Sequence, residues 1–514
     1  MDQPRATLRA LLVTSLIVWI GVWMWLGRYH MLDDAFIHLR YADHLRTTGT
    51  LAYNIGEPSY GASSVLYVML LAALRTFTTS PLLPKVVSTV GYASVFLLIA
   101  WQWLRAHGRA RVIWILTMLS LCSPVAVRWL ADGMETSLTL LVALVFVVMA
   151  HRLSHSSAPR GIVTSAIVAA SAGLLRVEMS ALVFGMSAAT VVMATREGAS
   201  WRSALTRVMP AIAGASLVLV GLQLALGHIV PDTAIAKSTM PFLLGFGDAL
   251  FRTVEASGSF GVGLCATWLT SLGLVLWDRR AARESWLALI IPNILFPSIL
   301  FTAWENGQLL QGFRYFAWPL IAALAWNALT LRPPAPSERI ATRPFVLAAA
   351  MLFVTAWVVE VPRIARVFSV RSATYLAMAN ARWDGFESAR AISGEIGFLG
   401  YFSRAYVCDL ASLVNGRVAA GERAGSHIQD CVAMGPSIAL VTTAEQDGLG
   451  IDFSRWTRCG SLASQNMGGV VEHDLLVDPR KVATAPRASG AHPDHTPSFL
   501  RSALPAAWRT MQPT

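Results

Sequence analysis

The sequence predicts a polytopic α-helical membrane protein with a small mixed α/β domain near its carboxyl end. Three observations lead there. Of 514 residues, 55% are hydrophobic and only 14% charged, against roughly one-quarter charged in a soluble domain. Apolar runs of membrane-spanning length recur through the first two-thirds of the chain, and mean hydropathy is +0.53. Beyond residue 362 the pattern changes to short strand-like runs separated by turn residues. The formal charge of +11 does not point to nucleic acid. Lys and Arg cluster in short segments between apolar runs, where positive charge marks cytoplasmic loops.

A helix needs about 20 mostly apolar residues to cross about 30 Å of hydrocarbon, and about eleven runs meet or approach that length. They are 8–27, 84–104, 112–130, 137–151, 161–175, 180–195, 207–227, 258–277, 286–304, 316–331 and 345–361. The first is too long for the apolar core of a signal peptide and ends in bulky "WMWLGRYH" rather than small residues, so it is expected to remain as a span. Run 64–75 (SVLYVMLLAALR) is too short to cross and is expected to lie in the outer interface. With the amino terminus inside, the inner loops hold about 16 basic residues against about 5 acids, which satisfies the positive-inside rule. These spans form a membrane domain at 1–361, followed by an exported domain at 362–480 and a loosely ordered Pro/Ala/Ser/Arg-rich tail at 481–514.

The exported domain is expected to contain strands in "RAYVCDL", "SIALVTT" and "HDLLVD" and a helix at 373–393. Cys122 and Cys265 fall in apolar runs and read as packing residues. Cys408, Cys431 and Cys459 fall in the exported part, where an oxidising compartment permits one disulfide, expected as Cys431–Cys459. HExxH, a Walker loop and CxxC are absent, so nucleotide hydrolysis has no support.

The predicted topology brings Asp33, Asp34, Glu57, Asp132, Glu135, Arg176, Glu178, Asp232, Lys237, Glu305 and Arg314 to one membrane face. Charges at membrane depth are costly enough to mark a site. Adjacent acids at the end of the first span repel one another unless a cation, a base function or a hydrogen-bond donor shares them. The segment "DDAFIHLRYADHL", followed by "LAYNIGE" and "YGASSVLY", resembles the opening of bacterial GT-C membrane glycosyltransferases. The likeness is to the subgroup of the mycobacterial terminal arabinofuranosyltransferase and the pilin arabinosyltransferases. "WLADGMET" (129–136), "LLRVEM" (174–179), "PDTAIAK" (231–237), "GFRYF" (312–316) and "GEIGFLGYFSRAYVCDLASLVNG" (394–416) resemble further motifs of that class.

The resemblance implies inverting transfer of a sugar, a pentose such as arabinofuranose, from a polyprenyl phosphate lipid to an exported glycan or protein acceptor. It places a first-loop acid at the reacting centre. One carboxylate must accept the acceptor's proton, and Asp33 is expected to do so while Asp34 orients the loop. Arg176, Lys237 and Arg314 are expected to hold the donor phosphate. Arg40, Tyr41, Glu57, Asp132, Glu135, Glu178 and Tyr315 are expected to contact substrate, with Asp132 and Glu135 also able to offer oxygens to a divalent cation. His38 reads as an interface residue. A lipid-sugar transporter and a non-catalytic scaffold are the alternative functions, although a transporter places its charges near the bilayer midplane rather than at one face.

Overall fold

The computed structural model describes residues 3–156, 158–238, 246–277, 290–294, 313–331, 342–380, 383, 386–416, 427–466 and 469–482. A bundle of apolar helices carries a mixed sheet at one end. Helix α1 (Gln3–Leu26) leads into α2 (Asp33–Thr48), whose first turn holds both acids, and whose end is set by Gly49 at φ 70°, with its N–H returned to Leu45. A left-handed glycine after the last turn satisfies a carbonyl that the helix leaves open. A hairpin of β1 (Ala52–Asn54) and β2 (Glu57–Pro58) turns at Gly56, φ 87°. Helix α3 (Val65–Leu74) starts at Ser64, whose side chain accepts from Tyr67 N. At 10 residues it is too short to span, as expected.

Helices α4 (Leu83–Arg105), α7 (Thr136–His155), α9 (Met179–Arg196) and α10 (Trp201–Leu226) are each long and apolar enough to cross a membrane. The expected straight span at 112–130 is instead two helices, α5 (Gly108–Leu121) and α6 (Pro124–Leu130), bent by 75°. Ser123 caps α6 by accepting from Ala126 N, and Pro124 occupies its first position. A proline there starts a new helix and cannot donate to the old one. Helix α8 (Pro159–Leu175) and the apolar stretches of α12 (Phe246–Trp277) and α13 (Phe313–Thr330) are shorter. The expected run 286–304 lies outside the described residues except for 290–294. α12 breaks at Gly258, φ 50°, where a Cβ would overlap the Glu360 carboxylate.

Helix α14 (Thr342–Asn380) continues past residue 361, where its apolar run ends. It runs 39 residues through Pro362 without ending, a length of about 58 Å at 1.5 Å per residue, nearly twice the hydrocarbon thickness. The helix expected at 373–393 is in its first part the last turns of α14, to Asn380, and strand β3 (Arg390–Ser393) occupies its end. α15 (Ile396–Ser403) follows, then β4 (Tyr406–Asp409), α16 (Ile428–Ala433), β5 (Ile438–Val441), α17 (Thr443–Leu449), β6 (Thr457–Asn466) and β7 (Gly469–Val477). The sheet order is β4-β3-β5-β7-β6, parallel across the first three strands and antiparallel across the last three.

One apolar core fills the helix bundle, and a second joins α2 and α3 to the sheet through Phe36, Tyr41, Tyr53, Phe398 and Val407. The disulfide is Cys408–Cys431, not Cys431–Cys459; it ties β4 to α16, while Cys459 stays free on β6. The expected tail, 481–514, lies outside the described residues after Val482.

Candidate active site

The adjacent acids occupy the first two positions of α2, so they point about 100° apart around the helix. Asp33 is only 7% exposed. Its two oxygens accept from Gly397 N at 2.7 Å and Phe398 N at 2.6 Å. These are two of the N–H groups that the first turn of α15 cannot satisfy itself, and its own N-cap, Glu395, makes no side-chain cap bond. Asp33 therefore caps a helix 364 residues away. Burial and the neighbouring Glu395 carboxylate push its acid upward, and the two backbone donors pull it back. Asp34 is the more accessible of the pair.

The close approach depends on glycine. A Cβ at Gly397 would stand 1.9 Å from Asp33 O, and one at Gly400 would stand 2.0 Å from Tyr53 Oη. Gly397→Ala is expected to lower stability by about 2 kcal/mol or more through overpacking. A thermal melt of the purified variant matching wild type would show that this contact is not tight.

Arg40 completes the same joint. Its Nε donates to Tyr53 O at 2.7 Å, Nη1 to Gly400 O, and Nη2 to Asn54 Oδ1 at 3.2 Å and Ala405 O at 2.8 Å. Tyr53 Oη donates to Ile396 O at 2.6 Å. Glu57 accepts from Tyr406 Oη at 2.7 Å and from Asn54 Nδ2 at 3.3 Å. Tyr41 is fully buried, with its hydroxyl 2.7 Å from Ser59 Oγ and accepting from Gly61 N. Arg40, Tyr41 and Glu57, expected at the substrate, thus hold the first loop together and fasten it to the sheet.

A second cluster lies across α2. Glu135, at the start of α7, is fully buried and accepts through Oε1 from Arg176 Nη1 at 3.0 Å. Arg176 Nε also donates to Glu178 Oε1 at 2.6 Å. His38 Nδ1 lies 2.9 Å from Asp34 O, and its Nε2 lies 3.9 Å from Glu135 Oε2. His38 thereby connects the accessible acid's backbone to the Glu135–Arg176 pair. With one guanidinium between two carboxylates, Arg176 is committed to this network. Asp132 accepts from Met134 N at 2.9 Å, which shapes the turn before α7.

Asp232 opens the short helix α11 (Asp232–Ser238). It pairs with the first loop, as its carboxylate accepts from Tyr60 N and its own N–H donates to Tyr60 O, both at 2.8 Å. Lys237 lies on this helix, and Arg314 and Tyr315 lie in the first turn of α13. The side chains of these three, and the whole of Glu305, are outside the described residues. The sequence reading missed Lys85, buried in the first turn of α4, whose Nζ donates to Ala131 O and to His30 O. A lysine inside an apolar run was the available signal.

Among the described residues, Asp132 and Glu135 do not converge with a third metal ligand. The group that does converge, Cys408, His427 and Cys431, has its two sulfurs joined in the disulfide.

Neither a family model nor a curated protein matches the chain. Among solved structures it is similar to that of ArnT from Cupriavidus metallidurans bound to undecaprenyl phosphate. The TM-score is 0.53 at 12% identity, over 92% of this chain and 98% of that one. The chain shares that fold. It is a multi-pass membrane protein, and the first loop, α7, α8 and α9 surround the cluster described above.

Proposed function

We propose that this chain transfers a sugar from a polyprenyl phosphate lipid to an acceptor hydroxyl, with inversion, at the rim that carries Asp34. The observation that carries the reading is the difference between the two acids: Asp33 is buried with both oxygens on the amides of a distant helix, and Asp34 is the more exposed of the pair, in a chain that shares the fold of ArnT. Asp34 takes the acceptor proton as the acceptor oxygen bonds to the anomeric carbon. The bond from that carbon to phosphate oxygen breaks, and the phosphate leaves on its lipid. One base suffices for such a displacement. His38 and the Glu135–Arg176 pair fix the start of α2 from behind. In this reading Asp33 and Asp34 exchange the roles expected from the sequence.

The donor phosphate is assigned to Lys237 and Arg314, since Arg176 already serves two carboxylates. The charge pattern of the loops supports an extracytoplasmic rim in the plasma membrane, and the sequence motifs support a pentose donor such as arabinofuranose. The acceptor is an envelope glycan or a protein. The test is release of polyprenyl phosphate from a polyprenyl-phosphoryl pentose by the purified protein in lipid nanodiscs, dependent on added acceptor. No acceptor-dependent release would overturn the reading. Lys237→Ala and Arg314→Ala are each expected to weaken donor binding by about 1.5–3 kcal/mol, the cost of one charge-assisted hydrogen bond. Unchanged donor affinity in both would return them to structural roles.

A further inference from the structure

A cleft lies at the opposite end of the bundle from Asp34. Helices α4 and α7 begin beside the acid rim and run 23 and 20 residues away from it, to Arg105 and His155. That is about 30–35 Å at 1.5 Å per residue, so their last turns reach the other membrane surface. α8 starts at that surface, and both it and α4 pack on α7. The three helix ends enclose a cavity of about 830 Å³.

The cavity has two kinds of wall. Leu98 and Trp101 on α4 face Val148 and Met149 on α7, and Trp101 is 52% exposed beside the outward-facing Leu97, Val163 and Ile167. This side opens on the hydrocarbon. The mouth carries His151, Arg152 and His155 from the last turns of α7. Arg105 stacks over Trp101 at 4.5 Å, which brings a second guanidinium to the same edge. His155 Nδ1 meets Glu197 Oε2 at 2.7 Å, so that carboxylate is paired with the histidine rather than with either arginine. Ala158 and Gly161 from the start of α8 line the mouth, and no side chain caps that helix.

We infer that this cleft binds an anionic phospholipid of the leaflet opposite the acid rim. One acyl chain lies over α7 between α4 and α8, and the phosphate sits between Arg105, Arg152 and the start of α8. Charge complementarity selects the occupant: a zwitterionic headgroup would bring an ammonium against two arginines. The inference rests on the membrane-spanning fold and not on the transfer reaction.

Native mass spectrometry of the full-length protein, released from mixed vesicles, tests it with phosphatidylglycerol and phosphatidylcholine as probes. Wild type is expected to retain one phosphatidylglycerol in preference to phosphatidylcholine. Arg105→Gln and Arg152→Gln should each reduce that preference about fivefold, as expected for one basic side chain facing anionic lipid. Gly161→Leu should abolish retention by filling the cavity, while melting at the wild-type temperature; a Cβ there meets nothing closer than Leu153 Cδ2 at 3.7 Å. Equal retention of both lipids by wild type, or an undiminished preference in the arginine variants, would overturn the site. Displacement of phosphatidylglycerol by equimolar undecaprenyl phosphate would also overturn it, by assigning the cleft to the carrier lipid.

Discussion

Asp34→Asn is expected to lower sugar transfer by about 10²–10⁴-fold, the usual contribution of a positioned base, while melting at the wild-type temperature. The amide is nearly isosteric but cannot take the acceptor proton, and Asp34 is not the residue that caps α15. Asp33→Asn should behave in the opposite way. An amide can offer one oxygen to Gly397 N or Phe398 N, but it turns an N–H toward the other, so one charge-assisted bond is lost and two donors face each other. The expected cost is about 1.5–3 kcal/mol of stability, with transfer per folded molecule largely retained. Paired measurements of melting and turnover on both variants decide the matter. If Asp33→Asn melts normally and fails to transfer, Asp33 is the base and the assignment made here falls.

Arg40→Met is expected to have the largest effect on stability, on the order of 3–5 kcal/mol. The substitution keeps much of the apolar stem but leaves the carbonyls of Tyr53, Gly400 and Ala405 and the Asn54 side chain without their shared donor. Each buried acceptor left unsatisfied costs about 1–3 kcal/mol, and partial relaxation brings the sum down. Limited proteolysis should show residues 390–477 cleaved faster than in wild type, because Arg40 and Asp33 hold the first loop to the two ends of α15. Wild-type protease resistance would mean that the apolar contacts of Phe36 with Phe398, Tyr401 and Phe402 hold the joint by themselves.

The positions of the long apolar helices were legible in the sequence, but the partners of the charged residues were not. The apolar runs gave the positions of α4, α7, α9 and α10 because hydropathy is a local property. The break between α5 and α6 was also local: Ser123-Pro124 is a capping residue followed by a first-position proline, but it was read through as part of one apolar run. The roles of Asp33 and Arg40 could not be read locally. Both donors to Asp33 and two of the four acceptors of Arg40 lie about 360 residues downstream, and nothing near Asp33 distinguishes an acid that caps a distant helix from one that accepts a proton. Hydropathy was also blind to the length of α14, since the apolar run stops near residue 361 while the helix continues to Asn380. The disulfide was misread because three thiols allow three pairs, and only the approach of α16 to β4 chooses between them.

The joint between Asp33 and α15 also sets an order of events during synthesis. At about 5–20 residues per second, the 364 residues that separate Asp33 from Gly397 take roughly 20–70 seconds to emerge. Until then α2 has been delivered to the membrane surface with its first acid uncapped and Arg40 without its carbonyl partners. A chain interrupted after α13 but before residue 394 keeps most of its hydrophobic helices and both acids, yet it lacks the α15 amides that hold Asp33. Such truncated products would therefore insert into the membrane as inert proteins, and competence for turnover would arrive only once α15 has emerged.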